Sequence, residues 1–152
     1  METRHVSPGA IGVWRSQAVA GTMAAALAAT VFLLPRAGSE WSLPVVGLAV
    51  TALAASWIWP PLYYRHLRYG VDATGIVIER GVLWRSRIAL PRVRIQHTDV
   101  SQGPLQRRFG VGTLKLYTAG SRHTMIVLPG LDHSDAIALR DALLAENISS
   151  GV

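Results

Sequence analysis

With 152 residues, the chain has room for one ordinary domain of about 100 residues and a smaller second part. It contains no cysteine, which excludes disulfides, zinc–thiolate sites, iron–sulfur clusters and cysteine nucleophiles. The net charge of +6 favours anionic partners, and beside a bilayer these are lipid headgroups before nucleic acid.

Two uncharged runs, residues 18–34 and 43–59, predict two transmembrane helices. At 1.5 Å per residue each run spans about 26 Å, which is close to the hydrocarbon thickness of a bilayer. The polar sequence PRAGSEWS between them predicts a tight turn, and Pro60 and Pro61 predict the end of the second helix.

Aromatic residues flank both runs, as is typical of the two interfaces of a membrane. The predicted interface anchors are Trp14, Trp41, Trp57, Trp59, Tyr63 and Tyr64.

Short flanking segments predict the orientation of this hairpin. Arg4 and Arg15 precede the first run and Arg65 and Arg68 follow the second, whereas the turn offers only Arg36. The positive-inside rule then predicts a multi-pass membrane protein with both termini in the cytoplasm. A cleavable signal peptide over residues 1–36 is the alternative, but PRAGSE is a poor cleavage site and a second apolar run follows at once.

Small residues recur every four positions along each predicted span, a spacing that lets helices approach closely in lipid. These helix-packing candidates are Gly21, Ala25 and Ala29 in the first span and Gly47, Thr51 and Ala55 in the second. Two interpretations are open: the stripes close this hairpin, or one of them docks a partner's helix.

After residue 64 the apolar pattern alternates, which predicts a meander of short antiparallel strands. Three runs share residues 68–91, and further strands are expected at 93–100, 113–118 and 123–128, with a turn at 119–121. In the last segment, Asp132 is the expected N-cap of an amphipathic helix.

The stretch RIQHTDVSQGPLQRRFG, residues 94–110, predicts a sharp corner. Ile95 and Val100 have opposite parity, so we expect a β-bulge near Gln96 and His97 to shift the register. Gly103-Pro104 then begins a single helical turn that Gly110 ends. We expect Leu105 and Phe109 to anchor the turn.

Residues 68–120 and 128–144, with RIQHTDVSQGPLQRRFG as the most specific part, resemble the bacterial pleckstrin-homology (PH)-like proteins of the membrane-flanked domain family, in particular its short YdbS-like members. The resemblance implies a bent antiparallel seven-stranded barrel capped by a C-terminal helix, without established catalytic activity. Periodicity supports six strands, so the seventh rests on the resemblance unless residues 82–90 form two. The resemblance also implies assembly with another membrane protein, such as a larger PH-like relative, or self-association.

These observations predict three parts: an N-terminal segment over residues 1–64 with both transmembrane helices, a cytoplasmic PH-like domain over 65–147, and a flexible tail over 148–152.

Catalytic chemistry has little support in the sequence. His97 and Asp99 form an isolated pair for which a structural hydrogen bond is the simpler role, and Gly110-Val111-Gly112 lacks the P-loop spacing. We therefore expect no enzyme, no catalytic residue, no metal, no cofactor and no small-molecule substrate.

Arginines give the remaining functional signal. The predicted lipid or partner contacts are Arg85, Arg87, Arg92, Arg94, Arg107 and Arg108. We expect a non-enzymatic module that assembles with other proteins at the cytoplasmic membrane face, and the alternative is a binder of anionic lipid headgroups through these arginines. Nucleic acid is not expected, because no helix carries a basic stripe and no aromatic stacking platform is evident.

Overall fold

The computed structural model describes residues 3–32, 34–118 and 125–149 of the chain. It divides into two compact units, Ile11–Leu62 and the combination of Met1–Ala10 with Tyr63–Val152. The predicted turn at 119–121, residues 123–124 of the last predicted strand, residue 33 of the first predicted span and residues 150–152 lie outside the described residues.

The helical part is formed by α1 (Gly9–Phe32), the short α2 (Leu34–Ala37), a 3-10 turn at Ser39–Trp41 and α3 (Ser42–His66). Within the described ranges, α3 is the one helix long and apolar enough to cross a membrane by length and composition. The second predicted span lies inside α3. The first lies mostly inside α1, which does not meet the same test, so the two-helix membrane hairpin stays a prediction.

The expected helix end at Pro60 and Pro61 is wrong, because α3 continues through both prolines to His66. A proline at position 61 has no amide to donate to the carbonyl oxygen of Trp57, four residues earlier. The guanidinium of Arg15 instead donates to that oxygen over 3.4 Å and lies 4.3 Å from the centre of the Trp57 ring. A side chain from α1 thus replaces a hydrogen bond that α3 lacks.

The predicted small-residue stripes mostly face away from the helical unit. Gly21, Ala25, Gly47, Thr51 and Ala55 are exposed, and a Cβ added to either glycine would meet nothing within 4 Å. The more shielded positions include Thr22 and Ala26 on α1 and Ala49, Ala52 and Ser56 on α3. A packing role for the stripes therefore stays a prediction that requires a second chain.

The second unit is mainly β, with one long helix at its end. Its strands are β1 (Thr3–His5), β2 (Arg68–Asp72), β3 (Gly75–Arg80), β4 (Ser86–Pro91), β5 (Ile95–Ser101), β6 (Val111–Thr118) and β7 (Met125–Asp132), followed by α5 (His133–Ser149). Helix α5 therefore extends two residues into the predicted tail.

The strands form two antiparallel sheets, in the orders β1-β2-β3-β4 and β5-β6-β7. The seven described strands do not close into a barrel, because the two sheets do not pair along an edge. Pro91 ends β4 without an amide donor, and the chain then passes through a 3-10 turn at Arg92–Arg94. One backbone bond, from the Ser7 amide to the Gly130 carbonyl, joins the N-terminal segment to β7 over 2.8 Å.

Strand β1 is the element that the sequence analysis missed. It pairs with β2 so that Thr3 lies opposite Gly70 and His5 opposite Arg68, and Val6 beside it is only 2% exposed. The predicted domain over 65–147 does not include this strand.

An apolar core joins the sheets to α5, which packs against β5, β6 and β7. Each fully buried leucine or isoleucine stabilises the fold by about 1.5–3 kcal/mol. The most buried large residues of this unit are Leu67, Ile76, Ile78, Val111, Leu114, Leu116, Leu128, Leu131 and Leu143. Asp132 caps α5 as expected, accepting hydrogen bonds from the amide and hydroxyl of Ser134.

The predicted corner at residues 94–110 is confirmed. The β5–β6 register shifts between Ile95 and His97, and a short helix α4 (Pro104–Arg108) is followed by Gly110 with a φ of +67°. Polar side chains hold this corner more than Phe109 does, since that ring is 37% exposed. Gln106 accepts from the Gly103 amide and donates to the Thr113 hydroxyl.

A candidate anion-binding cleft

A strongly basic cleft of about 590 Å³ lies in the β unit, beside the last turn of α3. We call it the basic cleft. Its lining residues are Arg65, His66, Arg68, Glu79, Arg80, Gly81, Arg85, Ser86 and Arg87. Five of them are arginines and one is acidic, so the cleft has the charge that attracts an anion.

The register of the first sheet brings these residues together. Arg68 on β2 lies opposite Glu79 on β3, and Glu79 lies opposite Arg87 on β4. Directly opposed residues in an antiparallel sheet point to the same face. Since β2 begins directly after α3, this row of charges crosses the sheet at the end of the strands that lies next to the C-terminus of α3.

A tight loop, residues 81–85, places further arginines on either side of the turn. Gly81 has a φ of +112°, and a Cβ at this position would lie 1.8 Å from the Trp84 carbonyl oxygen. Only glycine fits such a backbone. Arg80, just before this loop, and Arg85, at its end, both line the basic cleft.

One ion pair reduces the positive charge of the cleft. The Nε atom of Arg87 lies 3.3 Å from a carboxylate oxygen of Glu79, and the arginine side chain is 69% exposed. An exposed pair of this kind contributes at most about 1 kcal/mol to stability. Because Glu79 is the only acidic residue among the nine lining residues, arginines remain in excess.

A second groove, of about 450 Å³, lies between β1, β2 and α5 but has mixed charge. It is lined by Arg4 and by Asp135, among others. Burial raises the pKa of Tyr69 in this groove, the Asp135 charge raises it further, and Arg4 opposes the shift. Its charge therefore favours an anion less than that of the basic cleft does.

The predicted contact arginines fall into separate places. Arg85 and Arg87 line the basic cleft, whereas Arg94, Arg107 and Arg108 are exposed elsewhere on the unit. Arg92 has a structural position: its Nε donates to the Asp72 carbonyl over 3.1 Å, and one terminal nitrogen donates to the Ala142 carbonyl over 3.2 Å.

Sequence reasoning missed Arg65, Arg68 and Arg80 as site residues. The first two had served only to predict membrane orientation. A signal for Arg68 was present in the strand pattern. If β2 pairs with β3 across a turn at residues 73–74, Arg68 lies opposite the end of β3, as it does in the structure.

The other chemical candidates do not form a site in the structure. His97 lies beside Tyr117, with ring centres 5.8 Å apart, and within the described ranges no hydrogen bond joins it to Asp99. The same ranges contain no group of three or more His, Cys, Asp or Glu side chains placed to hold a metal ion.

Comparison with known proteins gives the chain its relatives. The profile of the family described as "Bacterial PH domain" matches residues 18–147. The chain belongs to this family. It is also similar to the "UPF0699 transmembrane protein YdbS" of Bacillus subtilis (strain 168), with 30% identity over 144 residues that cover 91% of this chain and 89% of that protein. No solved structure matches the chain significantly. The family confirms the PH-like resemblance, and this bacterial PH domain has the basic cleft on its first sheet.

Proposed function

We propose that this protein is a non-enzymatic PH-like module of the bacterial plasma membrane that holds an anionic lipid headgroup in its basic cleft. In this proposal α1 and α3 form an outward-turning hairpin and both termini are cytoplasmic. The observation that carries the proposal is the convergence of five arginines around one cleft at the end of α3. This geometry favours headgroup binding over protein assembly as the main role.

The surface of α3 supports a membrane position. Only 6% of its most apolar window is buried, and Leu43, Leu48 and Ile58 are each at least 65% exposed. Apolar surface of this extent on one long helix is stable in hydrocarbon but not in water. The similar Bacillus subtilis protein, named as a transmembrane protein, supports the same position.

Guanidinium groups suit a phosphate ligand because they form paired, charge-assisted hydrogen bonds with its oxygens. A single basic side chain near an anionic leaflet contributes about 1 kcal/mol of attraction wherever it lies on the facing surface. Several arginines around one cleft add a fixed geometry to that attraction. A specific phosphate site therefore depends on the arginines in the cleft, whereas general attraction to an anionic membrane depends on any arginine of the facing surface.

A ligand titration on the full chain tests this distinction. The protein is placed in phosphatidylcholine nanodiscs and its Tm is followed as glycerol phosphate, a soluble headgroup, is added. Binding to the folded state raises the Tm, so we expect a saturable rise for the natural chain. The double variant Arg68→Gln with Arg85→Gln, both exposed in the cleft, should lose it.

The matched control removes the same charge elsewhere. Arg107→Gln with Arg108→Gln changes two exposed arginines of α4 and should keep the rise. If both double variants lose the rise in Tm equally, the rise depends on net charge alone, which would contradict the proposal. Inorganic phosphate in place of glycerol phosphate distinguishes a headgroup site from a site for free phosphate.

Assembly with another membrane protein is a second candidate function. The outward-facing small residues around Gly47 support it, because such surfaces suit close helix contacts in lipid. Gly47→Leu should then remove a co-purifying protein without lowering the Tm. Unchanged co-purification would contradict the assembly role.

A further inference from the structure

The loop beside the basic cleft ends in two large apolar side chains that the unit leaves uncovered. Leu83 is 79% exposed and Trp84 is 90% exposed. We call these two residues the hairpin tip. A tryptophan carries roughly 200 Å² of mostly apolar surface, so leaving it in water has a substantial cost. The fold does not require this exposure, since the tight turn depends on Gly81.

The sheet places the hairpin tip at the same edge as the end of α3. The strands β2, β3 and β4 are antiparallel, and Arg68, Glu79 and Arg87 form one row across them at the end of the sheet where β2 begins. The loop that joins β3 to β4 therefore lies at the same end of the sheet as the C-terminus of α3. Arg65 and His66 of α3 and Gly81 and Arg85 of the loop line one cleft.

Charge around the hairpin tip favours a bilayer surface as its partner. Three arginines that line the cleft lie within three positions of Leu83 or Trp84 in the sequence: Arg80, Arg85 and Arg87. Apolar and indole side chains surrounded by arginines are typical of segments that lie in the membrane interface, where rings enter the headgroup region and cations meet anionic lipids.

We propose that Leu83 and Trp84 insert into the cytoplasmic interface of the bilayer and fix the domain against the membrane with its basic cleft facing the lipid. This inference rests on the membrane anchoring by α3 in the proposed function, but not on headgroup binding. The tip would act as a second, shallow anchor beside the helix.

The cysteine-free chain allows a direct test. Leu83→Cys is labelled with an environment-sensitive fluorophore in the full protein, in nanodiscs that contain lipids spin-labelled near the headgroup. Val93→Cys is the matched control, because Val93 is 88% exposed and follows the opposite end of β4, about 20 Å away along the strand. Ile58→Cys, on an exposed apolar position of α3, reports membrane anchoring itself.

We expect the spin label to reduce emission at positions 83 and 58 by more than about twofold, as suits groups held within 5–10 Å of the headgroup boundary, and to leave position 93 unchanged. Quenching at 58 but not at 83 would overturn the inference while keeping the helical anchor. A blue-shifted but unquenched label at 83 would mean that protein covers the tip, which also overturns it. Absence of quenching at 58 would instead refute the anchoring on which both proposals depend.

Discussion

Trp57 lies four residues before Pro61, so its carbonyl oxygen has no helical amide to bind within α3. The Arg15 guanidinium takes this place and also lies against the indole ring. In an apolar environment an unsatisfied carbonyl costs several kcal/mol, so the bond from Arg15 stabilises α3 at this point. The sequence shows the prolines and the arginine but not that they compensate each other.

A double-mutant cycle tests this compensation. Arg15→Leu should lower the free energy of unfolding by about 1–2 kcal/mol, because it removes a charged donor and a cation–π contact. Pro61→Ala restores an amide for the Trp57 oxygen, so Arg15→Leu should cost less in that background. Thermal unfolding of the four proteins in one detergent provides the measurement, and strictly additive losses would disprove the link.

Asp132 makes a second residue-level contribution, at the start of α5. Hydrogen bonds from Ser134 hold the pKa of the Asp132 carboxyl below its ordinary value of 3.8, and the bond from the Ser134 hydroxyl contributes more than the bond from the Ser134 amide. Because folding lowers the pKa of Asp132, its ionised carboxylate stabilises the folded state. This stabilisation is fully present at pH values above the pKa that Asp132 has in the unfolded chain, and it is lost as the pH falls through the pKa of Asp132 in the folded chain.

Asp132→Ala should therefore destabilise the domain by about 1 kcal/mol at pH 7, as is usual for a lost N-cap. Asp132→Asn keeps an acceptor but cannot titrate, so we expect it to lose less. Denaturant unfolding at pH 7 and near pH 3 checks both points. The difference in free energy of unfolding between the natural chain and Asp132→Asn should be smaller near pH 3 than at pH 7. A larger difference near pH 3 would contradict a lowered pKa of Asp132 in the folded state.

Among the elements, β1 changes the definition of the domain most. Three residues before α1 complete the edge of the first sheet, and Val6 follows them into the core. A segment of three residues has no alternation to read, and its flank of basic charge was interpreted only as a membrane signal. Sequence reasoning was stronger where side chains set the backbone directly: the glycine and proline of α4, the parity change of the bulge and the Asp132 cap were all predictable.

A core substitution next to β1 tests its importance. Val6→Ala should lower stability by about 2 kcal/mol, from lost apolar burial and the cavity left behind. Hydrogen exchange should then increase in β2 and β7, which the N-terminal segment joins. Val93→Ala, at an exposed position, should change stability by less than about 0.5 kcal/mol and serves as the control. Equal effects of the two substitutions would show that the N-terminal segment adds nothing to the fold.

At the scale of the whole molecule, the basic cleft combines the end of α3 with three strands of the first sheet. Arg85 and Arg87 were predictable as contact residues from the sequence, and the structure places Arg85 in the 81–85 loop and Arg87 on β4. Their meeting with Arg65 and Arg68 depends on strand register. The same reasoning applies to the arrangement of the described strands in two sheets. Local patterns give strands and turns, whereas closure depends on how Pro91 and the following 3-10 turn direct the chain.

Native mass spectrometry of the full protein, purified from its membrane in mild detergent, tests the central claim most directly. It counts the lipids that stay bound to each chain. We expect the natural protein and Arg107→Gln with Arg108→Gln to retain phosphatidylglycerol in preference to phosphatidylcholine, and Arg68→Gln with Arg85→Gln to lose that preference. Equal retention of phosphatidylglycerol by all three proteins would contradict a headgroup site in the basic cleft.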